Sequence, residues 1–246
     1  MAVTFGPTGN ATFLKRGATV TESELWFLQR FRLLETLNDD QRETIRKVIT
    51  ISELKRGSRI YMPGDRAEHI YLLRFGVVKL GTPVEDGNLL ILTFLYTGDL
   101  FGESAVIEDT PRDHVAEVHE DSIICSVPRE PLLQIMRETP EFGCQLTRLM
   151  AMRLRMFKTR VEHLLHRSAQ ARIAHTLLTL GQQFGAEVGH GLVIPLRLSQ
   201  SDLANLVGVR RETVNLVLQD FRHRGLVEAQ RRRILVQNPQ ALAAVC

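Results

Sequence analysis

The stretch from Leu198 to Asn215 restricts this chain more than any other. Ser199 stands where a helix N-cap belongs, and Asp202 three residues on can return the bond. That is a capping box with aspartate in place of the usual glutamate. Leu203, Ala204, Leu206 and Val207 form one apolar face. Gly208 supplies a tight turn, where a side chain would collide or hold a costly positive φ. A second helix begins near Arg210. Val214, Val217, Leu218 and Phe221 make its buried stripe, and Arg210, Arg211, Glu212, Asn215 and Gln219 lie off it. Cap, apolar face, glycine and second stripe together predict a helix-turn-helix.

That arrangement suits duplex DNA. The first helix braces across the backbone while the second enters the major groove by its N-terminal end. Arg210 and Arg211 can bond guanine O6 and N7 in pairs, and Glu212 can accept from cytosine N4. Asn215 lies one turn beyond Arg211 on the same side. Ser199 and Thr213 are short donors suited to phosphate, and Gln200 joins the candidate contacts at the start of the first helix. A hairpin follows, with Leu226–Ala229 and Ile234–Val236 flanking Gln230 and the run Arg231, Arg232, Arg233. Three arginines at a turn are a natural phosphate contact. Charge agrees: residues 167–246 carry 10 Arg, no Lys and 5 acids, net +5, against net −2 for residues 1–166.

The rest of the chain has a different rhythm. Residues 1–21 read as a loosely ordered segment. A short helical pattern over Glu22–Arg32 carries Leu25, Phe27, Leu28 and Phe31. A second starts at the cap Asn38, with Ile45 and Val48 facing inward. From Thr50 to about Val127, short β-rich runs alternate with turn signals: Arg59–Tyr61, Ile70–Phe75, Val77–Thr82, Leu89–Leu95, His114–Val118 and Ile123–Val127. This spacing predicts an antiparallel barrel or jelly roll. Helical patterning returns at Arg129–Arg137 and runs long from about Pro140 to His166. Met150, Leu154, Phe157, Val161 and Leu164 are spaced 4, 3, 4, 3, a coiled-coil seam flanked by Arg153, Arg155, Lys158, Arg160 and Glu162. Packing on the chain's own barrel is one way to cover this seam, and a parallel dimer is the favoured one. Ser168–Phe184 reads as a further amphipathic helix, and Leu192–Leu196 as a short strand.

The expected fold class is α+β: an N-terminal antiparallel β jelly-roll sensor domain (22–138), a long dimerisation helix (139–167) and a C-terminal winged helix-turn-helix (168–246). Cys125, Cys144 and Cys246 are scattered, which argues for a reducing cytoplasm and against a zinc ribbon, an iron–sulfur cluster or a disulfide framework. No run of 18 apolar residues predicts a membrane span. His114 and His119 are five apart and face opposite sides of a strand, so a cupin-like metal site is not expected. No Gly-x-Ser-x-Gly elbow, Walker loop or His-Glu-x-x-His motif occurs, so neither metal, cofactor nor catalysis is expected.

Pro63-Gly64-Asp65, Ile70-Tyr71-Leu72-Leu73, Gly76-Val77-Val78-Lys79-Leu80 and Gly98-Asp99-Leu100-Phe101-Gly102-Glu103 resemble a cyclic-nucleotide-binding-type sensor. With the long helix, Arg211-Glu212-Thr213-Val214 and the wing, the chain resembles the CRP/FNR family of bacterial transcription regulators over about residues 25–240. The resemblance implies a homodimer on a near-palindromic operator in double-stranded DNA, bending of that DNA, contacts to RNA polymerase, and more often activation than repression. It implies that Arg211 and Glu212 read bases and Thr213 meets a phosphate. Leu216 stands where the cyclic-AMP receptors carry a second base-reading arginine, so the operator is expected to be relaxed or altered at that base pair.

The resemblance also implies a sensor pocket. Gly102, Glu103, Ser104 and Ala105 keep its backbone cradle, and Arg112 could still grip a phosphate. Asp113 replaces the expected serine and would repel one. Phe157 and Lys158 stand where adenine-reading hydroxyls belong. The expectation is a regulator independent of cyclic AMP, with internal pairs in place of the ligand: Arg112 with Asp113, and Lys158 with Glu103 or Asp113. The alternative is a ligand-gated regulator that takes cyclic AMP or 2-oxoglutarate, the latter held by Arg112 and Arg153. Iron–sulfur sensing needs clustered cysteines, and haem sensing needs an axial histidine, for which His114 is the candidate.

Overall fold

A computed structural model describes residues 37–84, 89–106, 110–166, 168–188, 191–230 and 233–246. The expected segment 1–21 and helix Glu22–Arg32 lie outside them. The described residues fall into two compact units: those up to Leu80 with Phe94–Ala151, and Gly81–Thr93 with Met152–Cys246.

In the first unit, helix α1 (Asp39–Val48) opens on a reciprocal cap, Asn38 accepting from the Gln41 amide while Gln41 returns the bond. Strands β1 (Thr50–Leu54) and β2 (Arg59–Tyr61) both pair antiparallel with β6 (Val115–Pro128). Strands β3 (His69–Pro83) and β4 (Leu89–Tyr96), whose residues 81–83 and 89–93 belong to the second unit, complete the sheet order β1-β6-β3-β4, and the short β5 (Leu100–Phe101) pairs with β3. A 3-10 turn, Glu103–Val106, follows β5. Helix α2 (Arg129–Glu138) then leads to the long helix α3 (Pro140–His166), whose residues from Met152 on belong to the second unit. Ile70, Leu72, Cys125, Ile135 and Phe142 meet in one buried core.

Two pairs of expected runs prove to be single strands. Ile70–Phe75 and Val77–Thr82 join in β3, and His114–Val118 and Ile123–Val127 join from Val115 in β6. The reason sits at Gly76, whose φ is +96°. A Cβ there would lie 2.3 Å from Ser122 Oγ and 2.4 Å from the Asp121 carbonyl. Glycine lets the two long strands approach without ending either, so it marks a close contact and not a turn. Strand β1 was not among the expected runs.

In the second unit, helix α4 (Ala169–Phe184) buries Ile173, Ala174 and Leu177 completely. Around it lie β7 (Ala186–Val188), β8 (Gly191–Ile194), α5 (Gln200–Val207), α6 (Arg211–His223), β9 (Val227–Gln230), β10 (Arg233–Val236) and α7 (Pro239–Ala243). The four strands form an antiparallel sheet in the order β7-β8-β10-β9. Strand β8 stops at Ile194, short of the expected Leu196, because Pro195 has no N–H for the ladder. Among the described residues, no helix is long and apolar enough to cross a membrane.

Candidate nucleic-acid interface and sensor pocket

Helix α5 starts on the expected capping box. Ser199 Oγ accepts from the Asp202 amide at 3.0 Å, and Asp202 Oδ2 accepts from the Ser199 amide at 3.0 Å. The Ser199 hydroxyl also donates to Asp202 Oδ2 at 2.5 Å. Its hydroxyl proton thus serves the cap. Gly208 ends α5 in the left-handed conformation, φ +73° and ψ +46°, with its N–H on the Ala204 carbonyl. This conformation turns the chain directly into α6.

Val214, Leu218 and Phe221 are buried on one side of α6, so the other side is fixed outward. Arg210, Arg211, Glu212 and Gln219 are exposed there, and Thr213 is half-buried. Gln200 and Asn215, both expected as DNA contacts, meet each other: Gln200 Nε2 donates to Asn215 Oδ1 at 3.1 Å. This bond ties the start of α5 to the first turns of α6. In the wing, Arg233 opens β10 and is exposed, whereas Arg231 and Arg232 lie outside the described residues.

The cassette after β5 brings together Gly102, Ser104 and Arg112. Arg112 is buried, 2% exposed. Its Nη1 donates to the Gly102 carbonyl at 2.8 Å and to Ser104 Oγ at 2.9 Å, and its Nη2 donates to the His69 carbonyl. The guanidinium lies over the Tyr61 ring, 4.4 Å from its centroid, a favourable cation–π geometry. The expected pair with Asp113 does not form. Asp113 turns outward and accepts from His114 Nδ1 at 2.6 Å. His114 Nε2 lies 2.7 Å from the Tyr61 hydroxyl, whose pKa burial pushes well above its ordinary value. The phenol thus keeps its proton and can donate it to Nε2 while Nδ1–H serves Asp113. Ala105 is buried and Glu103 half-buried. Phe157 and Lys158 belong to the second unit and are exposed there. Among the described residues, no group of three His, Cys, Asp or Glu side chains is placed to hold a metal.

Residues 51–139 match the model of the cyclic nucleotide-binding domain, and residues 171–245 match that of the Crp-like helix-turn-helix domain. The chain is 32% identical over 191 residues to a CRP-like cAMP-activated global transcriptional regulator of Mycobacterium tuberculosis, covering 78% of this chain and 85% of that protein. This chain is a CRP/FNR-family transcription regulator. A global nitrogen regulator of Synechococcus elongatus is also 32% identical, over 197 residues, with 79% and 89% covered. Among solved structures, FixK2 from Bradyrhizobium japonicum superposes with a TM-score of 0.70 at 25% identity, covering 80% of this chain and 97% of that one. Relatives that regulate transcription make this a regulator and not an enzyme, and its C-terminal unit carries the family's DNA-binding helix-turn-helix.

The seam expected of this CRP/FNR regulator is largely open. Leu154 and Val161 are 60% and 54% exposed, and Phe157 and Leu164 are also exposed. Met150 is the exception, partly buried against the core of the first unit. The exposed part of the stripe therefore starts at Leu154, with Met152 and Met156 exposed beside it.

Arg160, expected only as a charged flank of the seam, binds three backbone carbonyls. Its Nη2 donates to the Ile91 carbonyl at 2.7 Å and to the Leu206 carbonyl, and its Nη1 donates to the Leu92 carbonyl. Burial lowers its pKa from the ordinary guanidinium value, but arginine remains charged. Leu206 lies in the last turn of α5, where the helix dipole favours a cation. Nothing in the local sequence separates Arg160 from Arg153 or Arg155. We expect Arg160→Ala to cost about 2–4 kcal/mol, since it strands three carbonyls. Arg160→Lys restores only part, because an ammonium lacks the planar fork. Urea unfolding of the two variants checks this.

Proposed function

We propose that the protein acts in the cytoplasm as a homodimer on a near-palindromic operator, contacts RNA polymerase as an activator, and holds its DNA-binding form without cyclic AMP. Residues 22–138 form the sensor, 139–167 pair the two copies, and 168–246 read DNA through Arg210, Arg211, Glu212 and Thr213. The observation that carries the ligand-independent reading is Arg112. Its Nη1 and Nη2 are already bonded to Gly102, Ser104 and His69, so the cassette holds itself together through its own backbone. The exposed Asp113 carboxylate adds a negative charge at the next residue, which disfavours a phosphate. In place of the expected Arg112–Asp113 pair, the Asp113–His114–Tyr61 chain orders this loop.

The test is operator binding by the purified full chain at fixed salt, with and without cyclic AMP or 2-oxoglutarate. The expected change is less than about twofold for either compound. A rise of about tenfold or more with one of them establishes the ligand-gated reading instead.

A further inference from the structure

Leu216 is the one large apolar side chain exposed on the DNA-binding unit's helices α4 to α7, among the described residues, and it is 66% exposed. Its place on α6 is not at the edge of the buried stripe. Val214, Leu218 and Phe221 define the inward side, and at 100° per residue Leu216 falls near the centre of the opposite side. Glu212 lies one turn before it and Gln219 one turn after, both exposed. A single exposed leucine is ordinary on a protein surface; what singles out Leu216 is its place on the outward side of α6, between Glu212 and Gln219.

We propose that Leu216 reads a thymine, by packing against its C5-methyl group in the major groove. This rests on the reading of α6 as the groove-entering helix. Within that groove, thymine is the base that presents a methyl group, and apolar side chains are the groups that discriminate it. Leucine has no donor or acceptor for any other base edge. Its position one turn beyond Glu212 places the contact at a base pair next to the one Glu212 reads. The altered base pair is therefore specified by an apolar contact and not left relaxed.

The test starts from a random duplex library, from which the full chain selects its own operator. Each thymine of the selected sequence is then replaced singly by uracil, which removes only the methyl group. The expected result is one thymine position per half-site at which uracil weakens binding about fourfold. Leu216→Ala should bind thymine and uracil there equally, while the penalties at other positions persist. Leu216→Arg, selected against the same library, should enrich guanine at that base pair. Both variants keep the fold, since the side chain is exposed, and circular dichroism verifies it. If the chain selects a sequence but Leu216→Ala leaves every uracil penalty unchanged, the thymine contact is overturned and DNA reading by α6 stands. If no sequence is enriched, the groove-reading assignment falls and this proposal with it.

Discussion

Arg211→Ala is expected to weaken binding to the selected operator by on the order of a hundredfold or more, because each lost bidentate arginine–guanine pair costs about 1–3 kcal/mol and a dimer loses two. Arg211 opens α6 at its exposed N-terminal end, while Val214, Leu218 and Phe221 hold the inner face. Truncation therefore removes a contact without opening a cavity, and the thermal midpoint should move by no more than a degree or two. Arg211→Lys should recover little, since a single ammonium cannot make the paired bond. Titration of a labelled operator by fluorescence anisotropy at constant salt measures the loss. An unchanged affinity removes Arg211 from the interface. By contrast, Arg233→Ala in the wing should weaken all sequences alike, with a shallower salt dependence, as expected of a phosphate contact.

The second large effect is expected on the long helix. Val161→Glu should yield a monomer by analytical ultracentrifugation and lower operator affinity at least about a hundredfold, because two linked half-sites become two independent ones. Val161 is 54% exposed in a row with Leu154, Phe157 and Leu164, a contiguous apolar stripe of the kind that marks interaction surfaces. In a two-fold seam each substituted residue faces its own copy, so one substitution sets two carboxylates together in a desolvated interface. Val161→Leu keeps the apolar contact and should remain dimeric. A Val161→Glu protein that still sediments as a dimer shows that pairing uses another surface.

Local signals explain which parts were legible in advance. Ser199, Asp202 and Gly208 act within three to six residues of each other, and the cap and left-handed turn form as their spacing requires. Asn38 with Gln41 is a second such case. The stripe from Leu154 to Leu164 was likewise readable, because helical period alone places those residues on one face. What escaped depends on partners remote in sequence. Arg112 reaches the His69 carbonyl across 43 residues, and no local rule directs it there instead of to the adjacent Asp113. Gly76 resembles a turn until Asp121 and Ser122 are known to lie against it. The spacing of Ser199 and Asp202 specifies the cap, whereas the additional 2.5 Å bond from the Ser199 hydroxyl to Asp202 depends on a rotamer that spacing does not specify.

The arginine that holds the Ile91, Leu92 and Leu206 carbonyls acts as a fastener shared by two pieces of chain. The start of β4 and the last turn of α5 thus hang from one rivet. Neither can shift by more than the slack of a hydrogen bond without dragging the other or tearing free. Loss of that one side chain therefore frees both pieces at once.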